Sequence, residues 1–209
     1  MLVWINGPFG GGKTQTAYEL HRRLPGSVVC DPEEAGFGLH RMIPPRLRGD
    51  FQDLPAWRQG VFEMLDLVLT RHSGVVLVPM TVVAPAYFAE TVGRLREGGH
   101  DVRHFALLAD RRTVLRRLRE RGLGHVLAAV AGRGSLRRET FAVANLDRCL
   151  GALRGPGFGE HVWTDDRTVP QVAEHIAAAA GLTLTPDSDP AWRGPLRRAW
   201  VGARHIRFR

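Results

Sequence analysis

The feature that most constrains the fold is the junction at residues 2–14. There the apolar run Leu2 to Asn6 passes directly into Gly7-Pro8-Phe9-Gly10-Gly11-Gly12-Lys13-Thr14, and Ala17, Leu20 and Leu24 then recur at helical spacing. The pattern Gly-x4-Gly-Lys-Thr thus sits between a strand and a helix. Glycines in such a loop let successive backbone N–H groups converge on phosphate oxygens, and the following helix adds the positive end of its dipole. Lys13 would reach the β- and γ-phosphates and Thr14 would offer its hydroxyl to a magnesium ion, with Gln15 in the same helical turn. Residues Gly7, Pro8, Phe9, Gly10, Gly11, Gly12, Lys13, Thr14 and Gln15 are therefore expected to bind ATP, with Thr14 as ligand to Mg2+. An ordinary Gly-rich turn is the alternative, and its place straight after the first strand argues against it.

Charge composition bears on the same loop. Of 29 basic residues one is lysine, Lys13, and every other is arginine. Arginine is a wide planar fork, whereas the loop needs a slim point charge that lies between phosphate oxygens. The formal net charge of +8 suits an anionic partner, whether nucleotide, phosphate, acidic lipid or nucleic acid. No RNA-binding motif with interleaved aromatics occurs, so nucleic acid is not expected. There is no apolar run of eighteen residues and no signal peptide in the first fifteen, so the expectation is a soluble, cytoplasmic protein. Cys30 and Cys149 lack metal-ligand spacing and read as small buried hydrophobes.

Strand and helix patterns alternate along the rest of the chain. Ser27 to Cys30, the nearly uniform apolar run Val75 to Pro79, Val102 to Ala109 and His161 to Thr164 read as strands, joining Leu2 to Asn6 in a set of five. Helical patches fall at 33–42, 55–71, 85–97, 111–121, 139–153 and 169–180. The expected architecture is α/β: a three-layer fold with a mainly parallel five-stranded sheet and helices on both faces. One domain over 1–185 is expected, followed by a basic tail, 186–209. Ligands of such sheets gather at the C-terminal ends of the strands. That draws attention to the loop, Asp31, Pro79 to Thr81, Ala109-Asp110 and Thr164-Asp165.

A triphosphate loop does not define the acceptor of a phosphoryl group. Asp31, at the end of the second strand, is the candidate base or water-mediated magnesium ligand; the alternative is an Asp-Pro turn that begins the next helix. Asp53, Trp57 and Arg58, with Asp50, form a polar and aromatic cluster on the acceptor side. Trp57 either stacks on a flat ring or is a core anchor, with the acids capping the helix from Pro55. Arg41, Arg46 and Arg48 answer an anionic acceptor or form a solvated face. Nine arginines between 111 and 138 flank a Gly-rich stretch, 122–138, that reads as a lid, and Arg117 and Arg121 lie four apart on one helical face as candidate catalytic cations. The third strand ends in Pro79-Met80-Thr81, with no acid where most loops of this type have one to hold the magnesium shell. In the tail, six arginines and no acid accompany Leu196, Trp200 and Ile206 from Ala191 onward. This segment either touches an anionic membrane surface weakly or docks on its own domain.

Together these residues resemble the tunicamycin-resistance protein family, relatives of chloramphenicol phosphotransferase and the nucleoside monophosphate kinases. The likeness runs through Trp4-Ile5-Asn6-Gly7, the loop with Gln15-Thr16-Ala17, Glu19 to Leu24, Asp31-Pro32-Glu33, Gly36-Phe37 and Val78-Pro79-Met80-Thr81. It continues through Gly93 to Arg96, His104-Phe105, Asp147-Arg148-Cys149, Thr164-Asp165 and His205-Ile206-Arg207. The Pro-Met-Thr strand end is a habit of that family. The resemblance implies a P-loop fold like that of the nucleoside monophosphate kinases and ATP binding by Gly7 to Thr14. It also implies resistance to tunicamycin, a uracil-containing nucleoside antibiotic, by phosphorylation or by sequestration. By position, Asp31 looks like the phosphotransferase's catalytic acid.

Overall fold

Apolar runs bounded by turn residues become strands here because both faces of the sheet are covered. A computed structural model describes residues 1–126, 143 and 145–187, the side chains of 121–126 excepted. Five strands, β1 (Leu2–Asn6), β2 (Val28–Val29), β3 (Val76–Pro79), β4 (Val102–Leu108) and β5 (Glu160–Trp163), form one sheet in the order β2-β3-β1-β4-β5. Every pairing is parallel, with Trp4 of β1 beside Val78 of β3 and His104 of β4. The expected three-layer α/β fold is present. β1 is central, so the loop that follows it emerges from the middle of the sheet.

The two-residue period of β1 divides the core. Leu2 and Trp4 face one layer, packed with Val61 and Leu65 of α3 (Pro55–Arg71) and with Phe88, Val92 and Leu95. Val3 and Ile5 face the other, with Ala17 and Leu20 of α1 (Lys13–Arg23) and Val172, Ala173 and Ile176 of the helix Val169–Ala179. α1 is fastened at its C-terminal end. Arg23 Nε donates to the Thr185 carbonyl and Thr185 N donates back to the Arg23 carbonyl, both at 2.9 Å, and Arg22 pairs with Asp187.

The helix expected over 85–97 is continuous but not uniform: α4 (Pro85–Phe88) passes through a π-helical turn, Ala89–Gly93, into α5 (Arg94–Glu97). The expected 111–121 helix extends as α6, Arg111–Val126. Of the helix expected over 139–153, Leu146–Leu153 is described. Most of the expected lid and the whole basic stretch from Ala191 onward lie outside the described residues. Among the described residues, no helix is long and apolar enough to cross a membrane.

One core residue carries a pH dependence. His104 of β4 is 6% exposed and lies 4.6 Å from the Phe88 ring, with Phe158 also against it. Burial, then the nearby Arg96 and His161, push its pKa down to about 3 from the ordinary 6.5. The folded state therefore keeps the imidazole neutral while the unfolded chain takes up a proton below pH 6.5. Stability is complete above that pH and is lost as pH falls toward 3. In urea unfolding at pH 7 and pH 5, the wild type is expected to lose about 2 kcal/mol more than His104→Phe, which has nothing to protonate there. Equal losses in the two proteins would show that His104 is not the titrating group.

Candidate nucleotide-binding site

The turn from β1 to α1 depends on residues without side chains. Gly10 and Gly12 adopt left-handed backbone, φ 75° and 92°, and Gly12 is the residue that caps α1. Gly11 N donates to the Pro8 carbonyl at 2.9 Å, closing the loop. Lys13 Nζ donates to the same carbonyl at 3.1 Å and stands 5.6 Å from the centre of the Phe9 ring. The ring of Phe9 in turn packs on Ala109, Val114, Leu118, Leu146 and Leu150. Gly7, Pro8, Phe9, Gly10, Gly11, Gly12, Lys13, Thr14 and Gln15 thus form one compact bend at the N-terminus of α1, with Thr14 and Gln15 half-buried in its first turn.

This bend fits a polyphosphate. Backbone conformations open to glycine place N–H groups at a helix N-terminus, and Lys13, a residue 7% exposed, is the first of that helix. If magnesium binds, Thr14 is the loop's hydroxyl ligand. Among the described residues no group of three or more His, Cys, Asp or Glu is arranged to hold a metal ion by itself. A metal here would share the phosphate oxygens, as it does in phosphate sites with few protein ligands.

The other expected site residues are distributed unevenly. Asp31 follows β2, whose pairing continues through Cys30 N to the Leu77 carbonyl. Its Oδ1 accepts from Glu33 N at 3.0 Å, which makes Asp31 the N-cap of α2 (Pro32–Met42). The Asp-Pro turn is therefore real, and Asp31 is half-buried at the sheet's C-terminal edge.

Trp57 does not offer a ring to a ligand. It is 0% exposed, its Nε1 donates to the Pro32 carbonyl at 3.0 Å, and Phe51 lies against it at 5.4 Å. Of the two readings left open for Trp57, the core anchor is the one its burial fits, and it joins α3 to the start of α2. Its periodic place on α3, shared with Val61 and Leu65, turns it inward. The capping expectation is corrected as well. Asp50 caps the short turn Phe51–Asp53, and the cap of α3 is Leu54, with no side-chain bond.

Arg58 is buried and committed. Its Nε meets Glu90 of the π turn at 2.7 Å, its Nη1 donates to the Gln52 carbonyl, and its guanidinium lies 4.4 Å from the Tyr87 ring. Asp53 is exposed and accepts from the Tyr87 hydroxyl at 2.8 Å. Asp53 and Arg58 thus belong to one latch between α3 and the 85–97 helix. Nearby, Arg48 donates to the Ile43 carbonyl, while Arg41 and Arg46 are exposed.

Arg117 points across to the end of β5, where it donates to Thr164 through Nη1 to Oγ1 at 2.9 Å and through Nη2 to the carbonyl at 2.6 Å. Desolvation by burial pushes its pKa below the ordinary arginine range, against the pull of Asp165. Asp165 also receives Asp110 N at 3.0 Å, so the ends of β4 and β5 are tied together beside the loop. The side chain of Arg121 lies outside the described set. Sequence reasoning drew attention to Thr81 but assigned no role to it or to Asn6, whose side chains bond the base of the loop to the segment after β3. The available signal was that each is the polar residue closing an otherwise apolar strand run.

Comparison with known proteins agrees with this geometry. The sequence matches the AAA domain family over residues 2–134. The tunicamycin resistance protein of Deinococcus radiodurans is 35% identical, with a TM-score of 0.69 over 88% of this chain and 98% of its own. A sugar kinase from Janibacter (18% identity, TM-score 0.55, 87% of this chain and 95% of that one) shares the fold. So does the APS kinase of Mycobacterium tuberculosis (16%, 0.54, 86% and 96%). None of the curated proteins matches the sequence.

Proposed function

The chain belongs to the AAA domain family and to the tunicamycin-resistance proteins, and on that premise we propose that it moves the γ-phosphoryl group of ATP to a hydroxyl of a nucleoside-like small molecule, tunicamycin being the first to try. It is a P-loop, kinase-like nucleotide-binding protein; the acceptor and the transfer are the proposed part. The carrying observation is the glycine bend with Lys13 and Thr14 at the C-terminal end of the central strand of a parallel sheet.

In this reading Gly7 to Gln15 cradle the triphosphate and Lys13 balances charge on its outer phosphates; Thr14 would hold a magnesium ion, which when bound would supply further neutralisation of phosphate charge. The acceptor oxygen forms a bond to the γ-phosphorus as the bond to the ADP oxygen breaks, and Asp31 takes the acceptor's proton, directly or through water. Arg117 and Arg121 supply cations on the nucleotide side. Asp53 and Arg58 border the acceptor side, holding its wall rather than presenting free groups. The test is transfer of labelled γ-phosphate from ATP to tunicamycin or uridine by protein that binds ATP. Labelled product is expected, and its complete absence would overturn the reading.

One observation favours a second reading, in which nucleotide binding gates sequestration of the drug without chemistry. The residue that closes the β3 segment is Thr81, not an acid, and its hydroxyl is already bonded to the Gly7 carbonyl at 2.7 Å. Stoichiometric binding with unmodified drug recovered afterwards would mark this case.

A further inference from the structure

The chain leaves β3 at Pro79 and then runs beside the base of the loop for three more residues. Met80 N donates to the Ile5 carbonyl at 3.1 Å, the last bond of ordinary sheet type. Side chains continue the seam from there. Thr81 Oγ1 donates to the Gly7 carbonyl at 2.7 Å. Val82 N donates to Asn6 Oδ1 at 3.1 Å, and Asn6 Nδ2 returns a bond to the Val82 carbonyl at 2.7 Å. Asn6 Oδ1 also accepts Gly7 N at 2.9 Å. Asn6 is 0% exposed and Thr81 3%, so water does not compete for these bonds.

Both polar groups of Gly7 are therefore gripped, the N–H by Asn6 and the carbonyl by Thr81. The second grip matters more. The peptide from Gly7 to Pro8 has no N–H, so its plane is held through its oxygen alone. That plane fixes the start of Pro8, whose own carbonyl receives Gly11 N and Lys13 Nζ. The loop base packs closely on β4: a Cβ at Gly7 would lie 3.1 Å from Leu107 Cβ.

We propose that Thr81 is a positioning residue of the nucleotide site, acting through the Gly7 carbonyl with Asn6 as its counterpart on the N–H. The proposal rests on the nucleotide-binding part of the reading above. Its hydroxyl aligns the loop that carries Lys13, and it does so from the strand end where other loops of this type keep a metal-holding acid.

The test compares Thr81→Val, which keeps the branched shape and loses the hydroxyl, with Thr81→Ser, which keeps the hydroxyl. In fluorescence titrations of the full chain with an N-methylanthraniloyl ATP analogue and magnesium, Thr81→Val is expected to raise Kd about tenfold, and Thr81→Ser to restore it to within about twofold of wild type. A role in stability alone would lower the melting temperature of Thr81→Val without nucleotide and leave Kd unchanged, and that result overturns the proposal. Should Thr81→Val not fold, Thr81→Ala is titrated in its place with the same criterion. Unchanged Kd in that variant, with binding intact in wild type, overturns the positioning role alone. Failure of the wild type to bind the analogue overturns nucleotide binding and this proposal together.

Discussion

Replacing Lys13 with methionine is expected to weaken ATP binding about a hundredfold or more while shifting the melting temperature by about 4 °C at most. The two effects separate because the lysine does different things in the two states. In the structure the residue is 7% exposed, and its ammonium is bonded to the Pro8 carbonyl and stands close to Phe9. Methionine of similar length keeps the stem packed, and losing the ammonium's bonds is offset in part by no longer burying a charge. With nucleotide present, an ammonium facing phosphate oxygens has no apolar substitute. Lys13→Arg is expected to bind ATP more weakly than wild type as well, although the chain uses arginine at every other basic position, because the guanidinium is too broad for the bend. Calorimetric titration with ATP and a thermal melt of each variant check both halves; equal Kd values would remove Lys13 from the site.

The second large effect is on the fold. Trp57→Ala is expected to cost about 3–5 kcal/mol of stability in urea unfolding, the range for emptying a buried aromatic site. Trp57→Phe is expected to cost about 1–2 kcal/mol, because it keeps most of the ring against Phe51 and gives up the bond from Nε1 to the Pro32 carbonyl. Neither number would follow from a ligand-stacking tryptophan, whose truncation leaves stability nearly untouched and weakens the acceptor instead. If Trp57→Ala unfolds at the same urea concentration as wild type, the residue is not the anchor described here.

The contrast between these two residues shows what a one-dimensional reading reaches. Lys13 was legible because everything that defines its role, the strand before it, the glycines and the helix after it, lies in one unbroken stretch from Leu2 to Arg23. The parallel sheet was legible for a similar reason: Val75 to Pro79 and Val102 to Ala109 carry no polar face, which suits a strand covered on both sides. Trp57 was not decidable, since an aromatic on α3 has one local pattern whether its face meets the core or a ligand.

Arg58 and Arg117 were seen as charges available to a substrate, and their partners, Glu90 and Thr164, are 32 and 47 residues away. Nothing near them in the chain announces those bonds. The same distance hid the bonds of Asn6 and Thr81, whose partners are 76 and 74 residues off. The π turn at Ala89–Gly93 leaves no mark in the hydrophobic pattern, yet it carries Glu90, the acid that meets Arg58. Local order and sheet class are written in short-range pattern; the commitments of individual polar side chains are settled by tertiary contact.

The near-complete burial of Lys13 has a practical side. Lys13 carries the single lysine ε-amine of the sequence. An acylating reagent for lysine amines is therefore a probe with no lysine background, and its reaction reports access to the phosphate loop. Protection of the ε-amine by ATP, read as a mass difference on the peptide containing Lys13, would measure site occupancy without any assay of the reaction.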